Sequence, residues 1–255
     1  MARQILPVFL LVTGLFFSGC AANQSYTTSD SANAATAQAL DDYDRYLEEA
    51  YDTQIIYDPL EPWNRVMFEV NDVIINYVAH PINEAYTFIT PQPVRTGLGN
   101  FFTNWLFPVR FVNNLLQGNP DRAYKEFARF FINTGAGLGG FIDVASTEPA
   151  LQDVPPADFG QTLGKWGFGE GIYLYWPLLG PSNARDTVGT VGDWFLDPLT
   201  YVKPWYIALP AKTLRTVNEL DDMLDLYDNF TKSAIEPYTA IRDGYTQYRR
   251  ARVAK

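Results

Sequence analysis

One cysteine and one histidine stand among the 255 residues. The lone Cys20 leaves no disulfide framework within the chain, so the fold must stand on its core. The lone His80, followed directly by Pro81, excludes any metal site that needs two imidazoles. Positive charge is also scarce: 19 Lys and Arg face 29 Asp and Glu, a formal net charge of −10. Phosphate contacts draw on Lys and Arg, so no nucleic-acid partner is expected. After Cys20 no uncharged apolar run reaches the roughly 18 residues of a spanning helix. The longest neutral stretches, Phe130–Ile142 and Gly171–Ala184, are rich in Gly or Pro. Strict period-two alternation is rare, which argues against a sheet protein.

Catalytic patterns are as thin. Gly180-Pro181-Ser182-Asn183-Ala184 resembles a nucleophile elbow only loosely, because Ala replaces its last glycine. Ser182 reads instead as the cap of a helix over Asn183–Asp193. Gly135-Ala136-Gly137-Leu138-Gly139-Gly140 satisfies G-x-G-x-x-G, but the preceding Arg129–Thr134 continues a helical face. Dinucleotide binding needs strand, turn and helix. Gly135, Gly137, Gly139 and Gly140 are read as a flexible loop or a tight structural turn. Asp221, Asp222, Asp225 and Asp228 lack the Gly and closing Glu of a calcium loop and read as one solvated helix face. No enzyme activity, cofactor or metal is expected.

What is present begins with a targeting segment over residues 1–19. Arg3 is its single charge, Ile5–Phe17 is apolar, and Phe17-Ser18-Gly19-Cys20 closes it. This end resembles the bacterial lipobox, with Phe17 where that box usually has an aliphatic residue. The resemblance implies that Cys20 carries a covalent diacylglycerol and an acyl chain and becomes the mature N-terminus. Loss of Arg3 with the segment takes the formal charge to −11. More than one acyl chain makes anchoring durable, at about 0.8 kcal/mol per buried methylene. By the same resemblance, Ala21 rather than Asp after the cysteine favours the outer membrane. Residues 20–57 are read as the lipidated N-terminus and a flexible tether; residues 21–40, rich in Ala, Ser, Thr, Asn and Gln, span roughly 25 Å if coil-like. Residues 41–57 have the composition of a short lead-in helix.

The domain is expected over residues 58–248, with residues 249–255 as a basic tail, read as a solvated helix end. It reads as all-α. Asn119-Pro120 marks a helix start, and Tyr124, Phe127, Ala128 and Phe131 follow on one face. Leu214, Val217, Leu220, Leu224 and Tyr227 mark a later long helix. Prolines from Pro59 to Pro237 cut the rest into short or kinked helices. With 17 Phe, 16 Tyr and 6 Trp the chain is rich in aromatics. Two accounts stay open: an aromatic core, or a domain that places apolar surface into lipid.

Ordered segments then resemble one family, the MlaA (VacJ) outer-membrane phospholipid-transport lipoproteins. They are Asp58-Pro59-Leu60-Glu61-Pro62-Trp63-Asn64-Arg65; Pro91-Gln92-Pro93-Val94-Arg95-Thr96-Gly97; Asn113-Asn114-Leu115-Leu116-Gln117-Gly118; Gly137-Leu138-Gly139-Gly140 before Asp143; and Phe159-Gly160-Gln161-Thr162-Leu163-Gly164. Pro177-Leu178-Leu179-Gly180-Pro181-Ser182 before Arg185-Asp186 completes them. The matches cover residues 58–198. The resemblance implies a ring-like assembly of short, kinked helices in the inner leaflet of the outer membrane. It implies a trimeric porin as neighbour, phospholipid as cargo, and a soluble periplasmic carrier as recipient. Asn64, Arg65, Arg129, Asn133 and Arg185 are the candidate polar channel or headgroup contacts, since Arg pairs with phosphate bidentately. Taken one at a time, each is better accounted for by capping helices and tying loops. The other functional reading is a structural lipoprotein that braces a porin without moving lipid.

Overall fold

In the computed structural model, residues 56–254 are described, except Asp153. Cys20, the targeting segment and the tether lie outside the described residues. Helix α1 (Glu61–Ile74) starts with Pro62 in its first turn and runs through a π-helical turn (Ile75–Ala79) into α2 (His80–Ile89). Pro91 disfavours helical geometry at Thr90, which is extended, so α2 stops there. Pro93 and Pro108 open α3 (Gln92–Trp105) and α4 (Phe107–Leu116) in the same way. Helix α5 (Pro120–Gly135) packs against α4, and two 3-10 turns lead from it towards α6 (Phe159–Lys165). After a hairpin come α7 (Ala184–Leu196), the long α8 (Trp205–Lys232) and α9 (Pro237–Ala254).

The all-α expectation is met, with one addition. Strands β1 (Tyr173–Trp176) and β2 (Gly180–Asn183) pair antiparallel, Tyr173 opposite Asn183 and Trp176 opposite Gly180. Along β1, Tyr173 and Tyr175 point inward and are buried. They join Phe68 of α1, Tyr227 of α8 and Tyr238 of α9 in the central cluster. Phe68 meets Tyr175 and Tyr238 edge-on, with centroids 5.8 and 6.0 Å apart. Three buried hydroxyls in or beside this cluster find carboxylates: Tyr227 donates to Asp72, Tyr238 to Asp58 and Tyr245 to Asp186.

Elsewhere the polarity is turned inside out. Among the described residues, buried polar and charged side chains are about as numerous as buried apolar ones. Helix α5 shows it most plainly. Its buried side chains are Ala123, Glu126 and Asn133, while Tyr124, Phe127 and Phe131 are exposed. The periodic aromatic face read from the sequence is therefore its outer face. Five phenylalanines run along α4 and α5, with Phe107–Phe130 and Phe127–Phe131 both at 4.5 Å.

Three local expectations are corrected. Asn119 precedes α5, but its side chain makes no cap bond, because its backbone is turned away from the capping geometry. Ser182 lies in β2; the cap of α7 is Asn183, whose Oδ1 accepts from the Asp186 N–H at 2.8 Å. The basic tail is not a solvated end, because α9 runs through it to Ala254 and Arg249 is buried.

Candidate functional site

Helices α3, α4 and α5 and the loop after α5 meet around a small polar cleft of about 30 Å³ that opens to solvent. Asn100, Thr103, Asn104, Arg110, Arg129, Asn133 and Asp143 line it. Arg129 and Asn133, four residues apart, share one face of α5. Arg129 donates to Asp143 at 2.6 Å and to the Leu151 carbonyl at 2.8 Å. Asn133 donates to the other Asp143 oxygen and accepts from the Ala145 N–H, both at 2.8 Å. On the facing side, Arg110 donates to the buried Glu126 at 2.9 Å and to the Thr103 carbonyl at 2.6 Å. Burial pushes the Glu126 carboxyl above its ordinary range, and Arg110 partly offsets that.

The glycine-rich segment packs behind one wall, against Asn104. It is a tight turn following a helix, with no strand before it, so it holds no dinucleotide fingerprint. A Cβ on Gly137 would stand 2.1 Å from the Ile142 carbonyl oxygen. A Cβ on Gly140, where φ is +103°, would strike Asn104 at 2.6 Å. The turn is thereby pressed against the cleft. Gly137→Ala is expected to destabilise the protein by roughly 1–3 kcal/mol, read as a lower thermal midpoint, because backbone rather than side chain must move.

The other three candidates lie elsewhere. Asn64 is fully buried and bonds the hairpin backbone, donating to the Tyr173 carbonyl at 3.1 Å and accepting from the Tyr175 N–H at 2.8 Å. Arg65 is two-fifths exposed, bridges Glu61 and Glu236 at 2.8 Å each, and lies over the Tyr238 ring. Arg185 is buried and pairs with Asp186 at 3.0 Å. The structure thus brings together Arg129 and Asn133 only, and every one of the five has a protein partner. Ser182 Oγ meets Thr187 Oγ1 at 3.0 Å, while His80 faces Asp228 at 3.6 Å.

Several residues escaped the sequence reading. Arg110, Asn104 and Asp143 complete the cleft. Glu126, Arg129 and Asn133, at i, i+3 and i+7, form a polar stripe opposite the aromatic one, and that spacing is the signal that finds it. Arg249 is the second omission. Its guanidinium grips Asp158 at 2.7 and 2.8 Å and Asp186 at 2.6 and 2.9 Å, tying α9 to α6 and α7. Burial opposes ionisation of both aspartates, but the Arg249 bonds outweigh it and hold both carboxyls below the usual range.

Asp193 behaves oppositely. It accepts from the Phe159 N–H at 3.0 Å and from Asn113 at 2.9 Å, and among the described residues no cation is bonded to it. Burial, and then the charge of Asp158, push its carboxyl up to about 6. A carboxyl raised above its unfolded value favours folding below pH 4, and that contribution is lost as pH rises through 6. Asp193→Asn keeps one acceptor oxygen. It is expected to raise the thermal midpoint by a few degrees at pH 7.5 and to leave it unchanged at pH 4, by differential scanning calorimetry across that range.

These features define a helical domain with a buried aromatic centre, a second set of aromatics exposed along α4 and α5, and asparagine and arginine buried beneath them. The chain belongs to the family whose model is described as MlaA lipoprotein, matched over residues 56–252. It is 38% identical over 192 residues to the intermembrane phospholipid transport system lipoprotein MlaA of Escherichia coli K12, covering 74% of this chain and 76% of that one. The protein of the same name in Haemophilus influenzae is 34% identical over 200 residues, with the same coverage. A chain solved in work on the structural basis for maintenance of bacterial outer membrane lipid asymmetry superposes with a TM-score of 0.68 at 34% identity. It covers 77% of this chain and 98% of that chain.

Proposed function

We propose that this lipoprotein, anchored through acylated Cys20 on the periplasmic face of the outer membrane, removes phospholipids misplaced in the outer leaflet and so maintains lipid asymmetry. The observation that carries the reading is the inversion of polarity in α5. Its aromatic face suits hydrocarbon, and its opposite face lines a small polar cleft with arginine and asparagine, the side chains that pair with phosphate. Helices satisfy their own backbone, so they form the economical rim of a path through lipid. A porin beside the domain and a soluble periplasmic carrier below it complete the route, and no covalent step is needed. The family relatives named for phospholipid transport support the same assignment.

The test is a clean deletion. Phospholipid in the outer leaflet is expected to rise and to return to normal with the full chain. Unchanged outer-leaflet phospholipid would reject the reading. A photoreactive residue at Phe131 is expected to give phospholipid adducts; a lipid-free, porin-only adduct would instead favour a structural brace.

A further inference from the structure

Helix α8 changes character along its length. Its first turns expose Trp205, Tyr206, Ile207 and Leu209, and no acid lies between Pro198 and Asn218. Further along, between Arg215 and Lys232, there are five acids and no Lys or Arg. That half also exposes apolar side chains: Met223, Leu226 (60% accessible) and Phe230, with Ile235 fully exposed at the corner before α9. Met223, Leu226 and Phe230 are spaced i, i+3 and i+7, one continuous stripe. Phe230 is seated firmly, because Gly244 of α9 lets its ring approach where a Cβ would clash at 2.6 Å.

The four aspartates of this half divide. Asp221 is bonded by Arg95 and Asn83, and Asp228 by Lys232. Asp222 and Asp225 are exposed and, among the described residues, have no ion-pair partner. At 100° per residue Asp222 borders the stripe about 40° from Leu226, and Asp225 lies further round on the same side, about 100° from Leu226. An ionised Asp222 beside the stripe argues against hydrocarbon as the occupant, since an acid drawn into lipid costs several kcal/mol. Anionic headgroups would be repelled. A second copy meeting the same face would set acid against acid.

We infer that the Met223–Leu226–Phe230 stripe with Asp222 and Asp225 is the docking surface for a soluble protein that presents an apolar pocket rimmed by Lys or Arg. Resting on the proposed transport role, this places the hand-over of lipid on the second half of α8. The charged flank steers and orients the partner, and the stripe supplies the buried contact.

The experiment uses the full lipidated chain in cells, with a photoreactive residue at Leu226. Leu226 is expected to yield an adduct with one soluble protein, identified by mass spectrometry, whose binding face is basic. That protein, purified, is expected to bind the D222K/D225K variant at least about tenfold more weakly than the parent. The variant should keep the parent's melting temperature. Adducts at Leu226 with phospholipid, a porin or a second copy, or no adduct at all, overturn the inference, as does unchanged affinity in D222K/D225K. Outer-leaflet phospholipid in the deletion strain reports separately on the transport role: if it rises while Leu226 fails, the docking surface alone is wrong.

Discussion

Replacing Arg249 by Ala is expected to lower stability by about 3–5 kcal/mol, the cost of leaving buried charges without their partner. For a domain of this size that is a fall in melting temperature of roughly 6–20 °C, measured on detergent-solubilised protein. The geometry explains the magnitude. Arg249 lies 8% exposed and bonds two aspartates from two different helices. Removing it strands Asp158 and Asp186 next to each other in α9's seat. Asp186 retains Arg185 and the Tyr245 hydroxyl, but Asp158 keeps only its Gln161 bonds. Arg249→Lys keeps the charge and loses the fork, so it should fall between the parent and Arg249→Ala. A double variant, Arg249→Met with Asp158→Asn, is expected to regain part of the loss, because Asp158 no longer carries a stranded charge while Asp186 keeps Arg185 as its partner. Both carboxyls are held below their usual range. Their contribution is therefore present above about pH 4 and lost as pH falls through the folded values. A parental melting temperature for Arg249→Ala would show that α9 is not held by this fork.

Arg249 also shows where the sequence is silent. In the chain it stands in Tyr248-Arg249-Arg250-Ala251-Arg252, a run that composition assigns to solvent. Its partners lie 91 and 63 residues away. No local pattern encodes such a pairing. The helices themselves were legible because proline placement and apolar spacing are local: Pro93, Pro108 and Pro120 open α3, α4 and α5 where a first-turn proline fits. The hairpin was not legible. Tyr173-Leu174-Tyr175-Trp176 is apolar on both faces, so alternation fails, and the register is supplied from outside by α1. In the cleft, Arg129 and Asn133 were readable from the family resemblance. Arg110 and Asp143 become visible only once α4 and the loop after α5 fold onto α5. The aromatic stripe of α5 was read with the right periodicity, but periodicity does not say which side faces water or lipid.

That external register rests on two asparagines about two helical turns apart. Asn64 and Asn71, at i and i+7 on α1, each clamp the hairpin backbone with both halves of the amide. Asn71 donates to the Trp176 carbonyl at 2.8 Å and accepts from the Leu178 N–H at 2.7 Å, as Asn64 does at Tyr173 and Tyr175. An extended strand therefore pairs with a helix through side chains that imitate a neighbouring strand. A two-stranded hairpin is marginal alone, so this pairing and the Tyr173 and Tyr175 rings hold it in place. Asn64→Ala is expected to cost about 2–4 kcal/mol, because the Tyr175 N–H and the Tyr173 carbonyl are left buried without partners. Asn71→Ala, nearer the surface, should cost less. The double variant should lose less than the sum of the two, because each clamp positions the strand for the other and either single change already weakens both. Asn64→Asp tests the mechanism. Aspartate still accepts from Tyr175 but cannot donate to Tyr173, and it sets a charge beside Asp58, whose carboxylate accepts from Asn64 at 2.8 Å. Its loss should match or exceed that of Asn64→Ala. Hydrogen exchange at the Tyr175 and Leu178 amides separates the two clamps: Asn64→Ala should release Tyr175 first, and Asn71→Ala should release Leu178 while Tyr175 stays protected. Equal release of both amides in either single variant would mean that α1 holds the hairpin through its aromatic rings and not through the asparagines.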